Sequence, residues 1–188
     1  MSFDLLGNEI PEPVRWTERM MLDLLRRRHA KEHGNRPRYV FAEHVRSAAG
    51  FGAWDDRDLF VEQGGRAIRT ADAMAVDLWP SSGNLVHGFE VKVSRSDWLT
   101  ELRDPTKADA IRRYCDHWWL VVPDAAIVRD DLPDGWGLLA VGKDGSLRTR
   151  IKAPRLDREP MTPTFVASLL RAAVRTAAKE APRPATAS

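Results

Sequence analysis

The stretch from Gly88 to Trp98 (Gly-Phe-Glu-Val-Lys-Val-Ser-Arg-Ser-Asp-Trp) constrains the fold of this 188-residue chain most strongly. Its first six residues have the apolar character of a strand, and side chains on a strand alternate between faces with a period of two. Phe89, Val91 and Val93 therefore share one face, while Glu90 and Lys92 share the other. A carboxylate and an ammonium on an otherwise apolar strand are costly to bury unless matched, so the surrounding chain has to supply partners.

One partner lies just upstream. Ile68 to Leu78 reads as a strand, Pro80 to Asn84 as a turn and Leu85 to Val93 as the returning strand of an antiparallel hairpin. If the hairpin folds symmetrically about Ser82, residues whose numbers sum to about 164 sit opposite one another. Asp72 then faces Lys92 and lies diagonal to Glu90, while Asp77 faces His87 nearer the turn. A bulge would shift the register by a residue and hand the role to Asp77, so Asp72 is the first choice and Asp77 the alternative. Acids crowded beside a lysine point to a bound hard cation such as Mg²⁺, which takes a few carboxylate oxygens and keeps several waters. The plainer reading is a surface hairpin with a cross-strand ion pair.

Ahead of the hairpin, Val14 to Lys31 reads as a helix, with Val14, Met21, Leu22 and Leu25 at helical spacing and Gly34-Asn35 as its stop. At roughly 100° per residue, Glu18 falls inside the apolar stripe. It is either a helix-edge acid that reaches solvent or an arginine, or an acid facing the sheet. His29 and His33 lack a third ligand and the Glu of a zinc-protease motif, so they read as solvated surface. Arg26-Arg27-Arg28 reads first as a solvated face, with phosphate contact as the alternative. Arg38 to Val45 alternates as a strand, and the irregular, Gly-punctuated piece from Ser47 to Gly65 reads as a loop with a short helix. The Trp54-Asp55-Asp56-Arg57-Asp58 cluster in that loop reads as turns and caps rather than a metal site.

Downstream, Ser96 is placed to cap a short helix through Arg103, and Asp104-Pro105 to open a second one reaching Tyr114. Trp118 to Val122 is the uninterrupted apolar run of a strand buried on both faces, closed by Pro123. Strand, helix, strand implies a parallel right-handed crossover. Cys115 and the two tryptophans belong to its core, and Lys107 stands in a first helical turn near the strand end that carries Lys92. Beyond Pro123, Trp136 to Val141 and a turn at Lys143-Asp144-Gly145-Ser146 read as a small β appendage with a basic edge. Thr164 to Glu180 is an Ala-rich amphipathic helix, and residues 181–188 read as a disordered tail.

An apolar fraction of 43% over this length suits one domain, taken as residues 1–180. Lysines and arginines number 29 against 27 acids, too even a balance to argue a nucleic-acid partner from net charge, so any binding surface is local. The single cysteine, Cys115, excludes an internal disulfide and a Cys-rich zinc site. No run approaches membrane-spanning length and no signal peptide is visible, so the expectation is a cytoplasmic protein with no membrane partner.

Asp72 followed on the next strand by Glu90-Val91-Lys92 resembles the signature of the PD-(D/E)XK nuclease superfamily. Arg69 to Ala75, Glu90 to Ser94, Asp97-Trp98, Lys107 and Tyr114-Cys115-Asp116 resemble its MmcB-like DNA-repair branch, with Ala71 standing where the superfamily has a leading proline. The resemblance implies an α/β fold: a restriction-endonuclease-like αβββαβ core with a mixed central sheet flanked by helices, plus a small C-terminal β hairpin and helix. It implies Asp72 and Glu90 as ligands of Mg²⁺ or Mn²⁺ and Lys92 as the residue that orients or activates water. Glu18 would steady the metal or its water, and Arg95 and Lys107 would contact DNA. The expected activity is metal-dependent DNA hydrolysis in repair or in phage or mobile-element DNA processing. The alternative is a catalytically silent fold that binds nucleic acid or a protein partner. Monomer and homodimer both stay open.

Overall fold

The computed structural model describes residues 2–3, 9–10, 14–30, 32–33, 36–47 and 68–180. The Trp54–Asp58 cluster and the expected tail at 181–188 lie outside the described residues. Helix α1 (Glu18–His29) starts four residues later than its apolar spacing predicts, because Thr17 is the N-cap, its Oγ1 accepting from Met20 N–H at 3.3 Å. Val14 stays outside the helix and is 61% exposed, while Met21, Leu22 and Leu25 are buried.

Three antiparallel strands follow: β1 (Tyr39–Arg46), β2 (Thr70–Asp77) and β3 (Val86–Val91). Helix α2 (Arg95–Leu102) is capped by Ser94, whose Oγ accepts from Asp97 N–H at 3.2 Å, rather than by Ser96. The helix expected at Asp104-Pro105 begins as a 3₁₀ turn, Pro105–Ala108, and continues as the short α3 (Asp109–Arg112). Asp104 makes no capping bond there; its Oδ1 accepts from Thr106 Oγ1 at 2.5 Å. Strand β4 (His117–Val122) then pairs parallel to β3, β5 (Trp136–Val141) parallel to β4, and β6 (Leu147–Ile151) antiparallel to β5. Helix α4 (Pro163–Glu180) packs on β1. The sheet order is β6-β5-β4-β3-β2-β1, so the strands after Pro123 extend the central sheet instead of forming a separate appendage. Leu138, Leu139 and Ala140 are all buried; a strand covered on both faces loses the period-two signal that marks a half-exposed one.

The two faces of the sheet hold separate cores. Under α1, Met21, Leu22 and Leu25 pack on Ala73, Ala75, Phe89, Val91 and Val121. On the other face Trp98, Ile111 and Phe165, from α2, α3 and α4, cover Met74, Val86, Trp118 and Leu120. Gly88 permits that second packing, because a Cβ there would stand 2.3 Å from the Trp118 ring and 2.9 Å from Cys115 Sγ. Two short pairings, Ser2–Phe3 with Glu9–Ile10 and Glu32–His33 with Arg36–Pro37, stand apart from the main sheet. No helix among the described residues is long and apolar enough to cross a membrane.

Candidate active site

The polar end of the sheet lies where β3 runs out toward α2. Ala73 pairs with Phe89 and Met74 with Gly88, a register two residues away from a hairpin symmetric about Ser82. An even shift preserves which face each side chain takes, so Asp72 still meets the Glu90 end of β3. Its carboxylate lies beyond the last ladder pair and replaces a backbone acceptor: Val91 N–H donates to Asp72 Oδ2 at 2.7 Å. N–H and C=O of one strand residue point to the same side, so the Val91 carbonyl is also directed toward Asp72. Lys92 N–H turns the other way, to Val121 O at 3.0 Å. The Lys92 ammonium donates to Glu90 Oε1 at 2.6 Å and lies 3.3 Å from Glu101 Oε2.

A second group of ligating atoms adjoins Asp72. Glu18, the first residue of α1, and His44, near the end of β1, each bring one to within 4.8 Å of the others and of Asp72. Glu18 Oε1 stands 3.8 Å from His44 Nδ1, the two side chains being 51% and 46% exposed. Glu18 does share the face of Leu22 and Leu25, but at the helix start it reaches past the core to this edge. His44 is held there by unusual backbone. Its φ is +51°, and the β1–β2 ladder passes from Glu43–Ala73 to Val45–Ala71 with no pair between His44 and Asp72. A non-glycine residue in the left-handed region costs roughly 1–2 kcal/mol, a strain that tends to collect at functional sites.

The charges explain what such a cluster lacks. Burial raises Asp72 to about 6, against the Val91 N–H and Lys92, which favour the charged form. Burial, reinforced by the Asp72 carboxylate, pushes Glu90 up to about 8 in spite of Lys92. Lys92 loses hydration too, yet Glu90, then Glu101 and Asp72, hold its ammonium above the ordinary lysine value. Three buried or half-buried carboxylates thus face one lysine that stays protonated, and the imbalance favours a further cation.

Other expected residues sit elsewhere. Asp77 occupies the far end of β2, where Arg38 Nη2 donates to its Oδ2 at 2.7 Å and Trp79 N–H to its Oδ1 at 3.0 Å. That end of the strand is roughly 17 Å from Asp72 at about 3.4 Å per residue, so the two aspartates cannot substitute for one another. Arg95 turns away to Ile127 O at 3.0 Å and to Asp131, pinning the loop before β5. Lys107 does come near: with Arg69, Thr70, Glu90 and Glu101 it lines a cavity of about 230 Å³. His29 Nδ1 contacts Leu25 O at 2.8 Å with its ring edge-on to Tyr39, and the His33 side chain lies outside the described residues.

Sequence reasoning missed His44 and Glu101. Glu101 had a signal, since it follows the buried Trp98 by three residues on α2 and so returns to the same helix face. His44 had only a weak one, the polar pair Glu43-His44 interrupting an apolar strand. Of that pair Glu43 is structural: 2% exposed, it receives Arg19, Arg26 and Lys179 and ties α1 and α4 to β1.

No protein-family model matches the chain, and no curated protein matches it. Among solved structures, the SPO1766 protein of unknown function from Silicibacter pomeroyi is similar, with 20% sequence identity and a TM-score of 0.53 over 89% of this chain and 90% of that one. At that identity the likeness is one of fold: an α/β architecture with a six-stranded mixed sheet flanked by helices.

Proposed function

We propose that the chain is a metal-dependent nuclease that hydrolyses phosphodiester bonds of DNA. The observation that carries this reading is the gathering of Asp72, Glu90 and Lys92 at one sheet end, with Glu18 and His44 beside them and more acid than the lysine balances. DNA as substrate comes from the resemblance of Asp72 and Glu90-Val91-Lys92 to the nuclease signature.

The donor set fits a divalent cation. Asp72 has two oxygens, so it can accept Val91 N–H and still offer a ligand atom; Glu90, Glu18 and the Val91 carbonyl add hard oxygens. The His44 imidazole favours Mn²⁺ over Mg²⁺, since nitrogen ligands suit transition metals. Such an ion, when bound, polarises a phosphoryl oxygen and lowers the pKa of its water.

The chain's own residues do the rest. Lys92, kept charged by Glu90 and Glu101, is a poor base and a good electrostatic partner. It orients water and offsets charge developing on the phosphate in the transition state, whereas proton removal falls to a neighbouring carboxylate. Lys107 and Arg69, on the wall of the adjoining cavity, hold the flanking phosphate.

The test is cleavage of supercoiled and single-stranded circular DNA with Mn²⁺ or Mg²⁺. Wild-type protein is expected to nick, with Glu90→Ala and Lys92→Ala each reducing the rate ~100-fold or more. Cleavage that survives both substitutions refutes the assignment. Mn²⁺ binding without any cleavage points to a silent module that keeps the fold.

A further inference from the structure

A second cavity lies at the other end of α1, ~16 Å from Glu18 at about 1.5 Å of rise per residue, between the helix, the starts of β3 and β4, and the β5–β6 turn. Its volume is about 560 Å³, within the range of roughly 300–1,000 Å³ typical of small-molecule sites. The wall includes Arg27, Arg28, Tyr39, His87, Phe89 and Trp119.

Two properties define what it can take. The first is flat aromatic surface carrying fixed polar atoms. His87 stacks on His117 with centroids 5.1 Å apart, and Trp119 Nε1 donates to His87 Nδ1 at 3.3 Å. A ring that accepts at Nδ1 carries its hydrogen on Nε2, so His87 is a neutral donor. Burial, with His117 and His29 nearby, keeps it so by lowering its pKa to about 4.

The second property is positive charge that no acid among the described residues neutralises. Arg27 is exposed and has no ion-pair partner among the described residues, and Arg28 spends its bonds on the neutral Leu147 O and Thr149 Oγ1. Among the described residues the one acid on the wall, Asp144, is already held by Arg148 and Ser146. An inorganic anion would leave the rings unused, and a plain apolar ligand would leave two guanidinium groups unmatched.

We propose that this cavity is a nucleotide subsite, in which a nucleobase stacks against the Tyr39, His87 and Trp119 rings and its phosphate is held by Arg27 and Arg28. Rings stack on any base, and guanidinium groups match phosphate geometry. The ligand is either a free mononucleotide or an unpaired nucleotide of a strand; the chemistry of recognition is the same. The inference does not depend on phosphodiester cleavage, since no residue of the carboxylate cluster takes part.

Calorimetric titration of the full chain with deoxyadenosine monophosphate, in EDTA to silence any metal site, tests it. Saturable binding is expected, about tenfold weaker for Arg27→Ala and for deoxyadenosine or inorganic phosphate alone. Arg27 is exposed and has no ion-pair partner among the described residues, so its removal leaves the fold intact. A single-stranded oligonucleotide that displaces the mononucleotide identifies a strand as the source; one that does not identifies the free nucleotide, and both support the subsite. Absence of binding by the wild type, equal binding by Arg27→Ala, or phosphate alone binding as well as the nucleotide overturns it.

Discussion

Asparagine in place of Asp72 tests whether the carboxylate cluster is a stability cost that a cation relieves. Burial raises Asp72 from its ordinary 3.8 to about 6 even though the Val91 N–H and Lys92 favour its charged form. A carboxyl whose folded pKa exceeds its unfolded value holds its proton more tightly in the fold. The Asp72 contribution to stability is therefore most favourable below about pH 4, falls as the pH rises toward about 6, and stays reduced above that. At 1.36 kcal/mol per pH unit the full penalty is up to ~3 kcal/mol. Asparagine imitates the neutral acid and keeps an oxygen for Val91 N–H, losing only the charge-assisted part of that bond, ~1 kcal/mol. Metal-free Asp72→Asn should thus be about 1–2 kcal/mol more stable than wild type at pH 8 and no more stable at pH 4. Urea unfolding in EDTA, followed by tryptophan fluorescence at both pH values, measures the difference. A variant less stable than wild type at pH 8 refutes the reasoning, because it makes the Asp72 charge a native asset.

Glu43 should behave in the opposite way. Burial works against its charge, but Arg19, Arg26 and Lys179 hold it down at about 2, so its contribution is full above about pH 4.5 and lost as the pH falls through about 2. Glu43→Gln should cost ~3 kcal/mol at pH 7 by urea unfolding and flatten the acid limb of the stability profile. Asp77→Asn should lower stability by ~1–2 kcal/mol through the Arg38 pair yet leave Mn²⁺ binding and DNA cleavage unchanged, separating the two aspartates of β2. Gly88→Ala should lower thermal stability by at least ~1–3 kcal/mol, because the new methyl meets the Trp118 ring and Cys115 Sγ; an unchanged melting temperature would contradict the packing described.

The Asp72, Glu90, Lys92 grouping was legible because it depends on strand parity, and parity survived a register two residues from the symmetric one. A shift of one would have sent Asp72 to the wrong face. The start of α1 was misjudged because Val14 has the spacing of a helical residue, and spacing does not register that Thr17 already caps the chain. His44 stayed hidden for a different reason. Nothing in a single sequence marks a histidine with positive φ, and that backbone turn carries its ring to Glu18 and Asp72. Arg95 was expected to contact DNA, but its partner Asp131 lies thirty-six residues away in sequence and appears only once β5 joins the sheet. The strands after Pro123 were found as strands but not as part of the central sheet, since burial on both faces erases the alternation that would place them.

The central claim is that this sheet end holds a divalent cation, and calorimetric titration with Mn²⁺ at about pH 8, above the raised Asp72 and level with Glu90, tests it most directly. Wild-type protein is predicted to bind with saturation, and Asp72→Asn, which loses the carboxylate shared by both groups of ligating atoms, to bind at least about tenfold more weakly. No binding by the wild type, or equal binding by the variant, would contradict the account.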